Sequence, residues 1–205
     1  MWSKLLSDMN AEGLKNVELA RSEPIEDLGL TSFIQKFPNS PLAQLASRVG
    51  KEDIRWLGQK GASPEQIRTA EARLGVSFPD SYRQFLLASN GFLIPGSFCC
   101  VLLPVDLVRR FGDDNPDIVK LWKALVEEDP NLADEDDYAC RIGDTIQISE
   151  GPLDYDLFAL LDTASTSPEG EAWTIMHTRQ GCNEYETFAK LAEEIGKPSQ
   201  QRVDE

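Results

Sequence analysis

The sequence predicts an α+β chain, with helices ahead of a run of short strands and one helix at the close. Three observations carry this. Two capped amphipathic helices are written into residues 62–92. Strand-length apolar runs stand between turn signals over 98–178, and an apolar helical face recurs over 188–195.

Residues 1–60 read as helical. Ser40 and Pro41 open a helix with Leu42, Leu45, Ala46 and Val49 on one face, and Gly50 ends it. Pro24, Gly29 and Pro38 divide the part before it, while Ile54, Trp56 and Leu57 predict one more turn before Gly58. Sixty residues are marginal as a core of their own, so this extension is expected to dock on the remainder, with Trp2 pinning the N-terminus.

Over 62–92, Ser63, Pro64 and Gln66 spell a capping box with proline in the first turn. Ile67, Ala70 and Leu74 share one face, and Gly75 sits where a left-handed C-terminal residue is wanted. After Phe78 and Pro79 a second helix carries Tyr82, Phe85, Leu86 and Ser89 on one face, and Asn90 and Gly91 close it.

Residues 98–103 read as a buried strand containing Cys99 and Cys100. Residues 104–111 read as a short helix or turn. Asn115 and Pro116 start a helix with Ile118, Leu121, Trp122 and Leu125 as its apolar face. That helix runs into Glu127, Glu128 and Asp129, placing negative charge at the end where the helix dipole disfavours it. Strands follow at 141–148, 157–161 and 172–178. The last helix places Phe188, Leu191, Ala192 and Ile195 on one side, and residues 198–205 read as a flexible tail.

The charge is unevenly spread. The chain carries net −15. Residues 1–62 hold eight acids and eight bases, residues 63–112 four acids and five bases, and residues 113–205 twenty-three acids and seven bases. The excess negative charge therefore lies in the second half, and 127–137 carries seven acids and no base. Such a field repels nucleic acid as a direct partner and favours a basic one. No C-x-x-C pair occurs among Cys99, Cys100, Cys140 and Cys182, and no secretory segment or membrane-length apolar run is present. A cytoplasmic location is expected, with no membrane contact.

No catalytic motif stands out. His177 and Cys182 lack an orienting acid at a recognisable spacing. Asp134, Glu135, Asp136 and Asp137 lack the spacing of a calcium loop, so neither a metal nor a cofactor is expected. Trp56, Trp122 and Trp173 are expected in the core or at junctions. The candidate partner-binding residues are Glu127, Glu128, Asp129, Asp134, Glu135, Asp136 and Asp137, with Tyr138 as an aromatic anchor.

The ordered residues Ile67, Glu71, Leu74, Gly75, Phe78, Pro79, Tyr82, Phe85, Leu86, Asn90 and Gly91 resemble the opening of the SUKH superfamily of cell-wall-assembly regulators (Smi/Knr type) and bacterial toxin-immunity proteins. Gly170, Glu171 and Trp173 resemble its Gly-Glu-x-x-Trp turn, and Phe188 the start of its closing helix. The resemblance covers 61–197. It implies one domain with a mixed, mostly antiparallel sheet and helices packed on it. It also implies a non-enzymatic protein that binds other proteins, as a monomer or weak dimer. The immunity branch implies a cognate toxin, often a nuclease and hence basic. The alternative is a scaffold of the cell-wall-regulator type. An enzyme would need a catalytic constellation that the sequence does not offer.

Overall fold

The computed structural model describes residues 1–22, 28–96, 101–128, 142–151, 157–161, 173–177, 181–185 and 187–195, with backbone alone for 22, 157, 173–177 and 181–184. Helices α1 (Trp2–Ser22), α2 (Thr31–Lys36) and α3 (Pro41–Ala46) lead into α4 (Pro64–Leu74) and α5 (Asp80–Ala88). Strands β1 (Phe92–Leu93), β2 (Val101–Leu102) and β3 (Arg109–Arg110) precede α6 (Phe111–Asp114) and α7 (Pro116–Glu128). A 3-10 turn, Ile142–Asp144, leads into β4 (Ile146–Gln147) and β5 (Ser149–Glu150). Then come β6 (Leu157–Leu161), β7 (Trp173–His177), β8 (Gly181–Tyr185) and α8 (Phe188–Ile195).

The architecture is α+β, and every described strand pair is antiparallel. Among the described residues the strands form two small sheets where one was expected, ordered β1-β2-β5 and β3-β4-β6-β7-β8. They meet at Ile148, whose N–H donates to Ala159 and whose carbonyl accepts from Leu103 N. One residue on, the Ser149 hydroxyl oxygen replaces a backbone acceptor for Ala159 N at 2.7 Å. A side chain filling a ladder position lets the strand turn from one sheet into the other without orphaning a buried amide.

Local signals explain the helices. Ser63 Oγ accepts from Gln66 N while Gln66 Oε1 accepts from Ser63 N at 2.8 Å, closing the predicted capping box. Gly75 takes φ 68°, the left-handed cap that side chains resist. Helix α1 places Trp2, Leu6, Met9 and Val17 in the core. Trp2 stacks on Phe188 and tilts against Phe85, with ring centroids 5.6 and 5.7 Å away. On its other flank, Asn10 accepts from Leu57 N and donates to Arg55 O, at 2.9 and 3.0 Å. With this grip, residues 55–57 form no helical turn where one was predicted. Leu57 O then receives Leu93 N, and Gly58 bridges to Phe92. Trp56 is thereby left 43% exposed, edge-on to Phe92, instead of in the core.

Two further expectations differ. Residues 142–144 turn before the strand begins at Ile146, because Thr145 Oγ1 donates back to Ile142 O at 2.7 Å and holds the turn. Strand β8 went unpredicted: its residues Gly-Cys-Asn-Glu-Tyr show no apolar alternation, yet all five pair with β7.

Candidate protein-docking surface

The family-motif residues occupy structural posts. Glu71, near the end of α4, accepts three hydrogen bonds on Oε1, from Phe78 N (2.7 Å), Arg83 Nε (2.9 Å) and Arg83 Nη2 (2.6 Å). It thus binds the Phe78–Pro79 junction and α5 back onto α4. Asn90 Oδ1 accepts from Val105 N at 2.8 Å. Gly91, at φ 90°, brings the backbone so close to Pro104 that a Cβ would stand 2.9 Å from its nitrogen. Ile67, Leu74, Tyr82, Phe85 and Phe188 are core, and burial pushes the Tyr82 phenol well above the ordinary tyrosine range. Pro79 stands at the N-cap of α5, and Trp173 opens β7 opposite Tyr185. Gly170 and Glu171 lie outside the described residues.

A second polar centre carried no local sequence signal. Lys36 of α2 bonds Asp114 at 3.1 Å and Glu150 at 3.0 Å, and Arg109 of β3 pairs with the same two carboxylates. Lys36 and Arg109 also lie over the Phe37 ring, 5.6 and 5.3 Å from its centroid. The cluster is two cations against two anions, so it adds no net charge. Burial alone would raise the Asp114 carboxyl. The hydrogen bond from Lys36 and the charge of Arg109 outweigh it and hold that group below the ordinary carboxylate range.

A depressed folded value means that the stability from Asp114 is present above its unfolded pKa of about 3.9 and is lost as pH falls through the folded value. Asp114→Asn is therefore expected to cost at most about 1 kcal/mol at neutral pH, since the group is partly solvated. In urea titrations the gap to wild type should stay level down to about pH 5 and close below about pH 4. A gap that widened on acidification would contradict the pairing.

The Lys36 cluster is balanced, Arg83 is shared by Glu71 and Asp80, and further carboxylates stand outside both networks. Asp113, Asp117, Glu127 and Glu128 are all exposed, the last three on α7. The other predicted contact residues, Asp129, Asp134, Glu135, Asp136, Asp137 and Tyr138, lie outside the described residues. Among the described residues, no group of three or more His, Cys, Asp or Glu is placed to hold a metal ion. Cys182 pairs in register with Met176 and His177 with Gly181, so the two are not cross-strand partners. An open cleft of about 320 Å³ runs along α4 beside Val105 and Asp106; at its wall, Arg73 donates to the carbonyl of Val108 at 2.8 Å. No described helix is long and apolar enough to cross a membrane.

With this arrangement in view, comparison with known proteins places the chain in a family of SUKH-type domains. The SMI1 / KNR4 family (SUKH-1) model matches residues 61–195, and the chain belongs to that family. A stretch of 40 residues is 45% identical to the uncharacterized protein YnaB of Bacillus subtilis (strain 168). That stretch covers 20% of this chain and 28% of the relative's length. No solved structure matches.

Proposed function

We propose that this protein is a non-enzymatic binding domain that neutralises a cognate toxin, and that its acidic second half makes the contact. The observation that carries this reading is charge segregation within a SUKH-1 chain: twenty-three acids against seven bases over 113–205, beside a nearly neutral first half. Among the described residues, Arg83 is shared by Glu71 and Asp80, and Asp114 and Glu150 pair with Lys36 and Arg109.

A toxin that cleaves nucleic acid must attract phosphate and presents a basic face. An acidic inhibitor is steered to that face, with association accelerated by roughly 10- to 1,000-fold, and can occupy the surface phosphate would use. Glu127, Glu128, Asp129, Asp134, Glu135, Asp136 and Asp137 supply the charge in this reading, and Tyr138 the aromatic anchor.

The test is co-expression with a candidate toxin. Wild type is expected to protect the cell and to co-purify with the toxin. The Glu135→Lys, Asp136→Lys, Asp137→Lys triple variant is expected to lose both. Undiminished protection by the triple variant would sink the acidic contact.

A further inference from the structure

Helix α7 is amphipathic, yet it buries none of its thirteen residues. Ile118, Val119 and Trp122 rest on a small cluster of Phe111, Ile142 and Leu160 and are half-covered there. Leu121 and Leu125, four residues apart and so neighbours on the helix surface, are 53% and 37% exposed. Helical spacing puts Asp117 one turn before Leu121, and Glu128 almost one turn after Leu125. The exposed leucines therefore form a short apolar column with a carboxylate at each end. The last turn carries Glu127 and Glu128 and no base, so the negative end of the helix dipole adds to their charge.

We propose that α7 is a docking ridge for a basic amphipathic segment of a partner protein, the partner's apolar side chains covering Leu121 and Leu125 while its lysines or arginines meet Asp117, Glu127 and Glu128. This deepens the protein-binding reading above and rests on it. Charge complementarity selects the occupant. A second copy of a chain with net −15 would bring like charges together at this face, and an anionic lipid surface would be repelled for the same reason. Of the two exposed lysines of α7, Lys123 falls on the far side of the helix and Lys120 to one side of the column, so the acidic ends of the leucine column, Asp117 and Glu128, suit a partner that is itself both apolar and cationic.

The probe is a synthetic leucine–lysine peptide with an amphipathic helical pattern, compared with a scrambled peptide of equal composition. Binding is measured by calorimetry on the full chain at moderate salt. The variants are Leu121→Ser with Leu125→Ser, and Glu127→Gln with Glu128→Gln; all four positions are solvent-exposed, and thermal melts check that folding is retained. The patterned peptide is expected to bind wild type, to weaken by about tenfold or more in the leucine variant, and to lose its salt dependence in part in the glutamine variant. The scrambled peptide is expected to bind more weakly and to ignore the leucine change. Equal binding to wild type and leucine variant, or no binding at all, would overturn the ridge. So would a dimer in sedimentation that the leucine variant abolishes, since the occupant would then be a second copy. No toxin enters this experiment, so failure here and failure to protect against a toxin are separate results.

Discussion

Gly61→Ala is expected to destabilise the fold more than any other single-methyl change among the described residues. The Gly61 segment runs hard against the end of α5, where Ala62 N donates to Leu86 O at 2.8 Å. A Cβ on residue 61 would stand 1.8 Å from the carbonyl oxygen of Leu87 and 2.6 Å from its carbon. Both obstacles are backbone at the end of a helix, so no rotamer change relieves the clash. Either the hydrogen bond at Ala62 breaks or the end of α5 unwinds. On a total stability of about 5–15 kcal/mol, a loss on the order of 3 kcal/mol is expected. Chemical denaturation would show it as a lower midpoint with an unchanged slope. A midpoint within error of wild type would mean that this approach is looser than described.

Phe188→Ala should cost about 3–5 kcal/mol, the range for removing a fully buried phenyl ring. Phe188 is the hinge of an aromatic group. Its ring lies 5.0 Å from Phe85, 5.1 Å from Tyr82 and 5.6 Å from Trp2. It therefore joins α8 to both α5 and α1, and its own N–H is held by Ser81 Oγ at 3.2 Å. Losing the ring opens a cavity against three elements at once, which limits how far the site can collapse. Because α1 loses a contact too, the N-terminal helix should become protease-sensitive at lower denaturant than in wild type. Phe188→Leu, which keeps most of the volume, should recover much of the loss. If Phe188→Ala unfolded at the wild-type midpoint, α8 would not be integral to the core.

What was legible beforehand was local. Ser63, Gln66 and Gly75 announce a helix and its ends because caps are satisfied within a few residues. Phe188, Leu191, Ala192 and Ile195 announce a buried face because the helical period brings them together, and all four are buried. Pairings between distant parts of the chain stayed hidden. Lys36 and Glu150 are 114 residues apart, and nothing in the neighbourhood of either names the other. Strand β8 is held by register with β7 and not by its own composition. Residues 54–57 look helical by spacing, but Asn10 of α1 and Leu93 claim their backbone.

The candidate site divides in the same way. Charge segregation is readable residue by residue. The helical period of α7 predicts an apolar face, yet periodicity says nothing about what covers it; the structure leaves Leu121 and Leu125 to solvent. The Lys36 cluster has no such local cue, since Glu150 closes β5 in a stretch that mixes Ile, Gln and Ser. A carboxylate buried there needs a cation, and Arg109 and Lys36 supply two.

The central claim is that the acidic half recognises a basic partner. It is tested most directly by titrating the purified protein with a candidate basic toxin from about 0.01 M to about 1 M salt, over which the screening length falls from about 30 Å to about 3 Å. The account predicts a steep weakening with salt, carried mainly by slower association, and a clearly shallower dependence in the Glu135→Lys, Asp136→Lys, Asp137→Lys variant. A complex whose affinity is the same at both extremes, in wild type and variant alike, would contradict it.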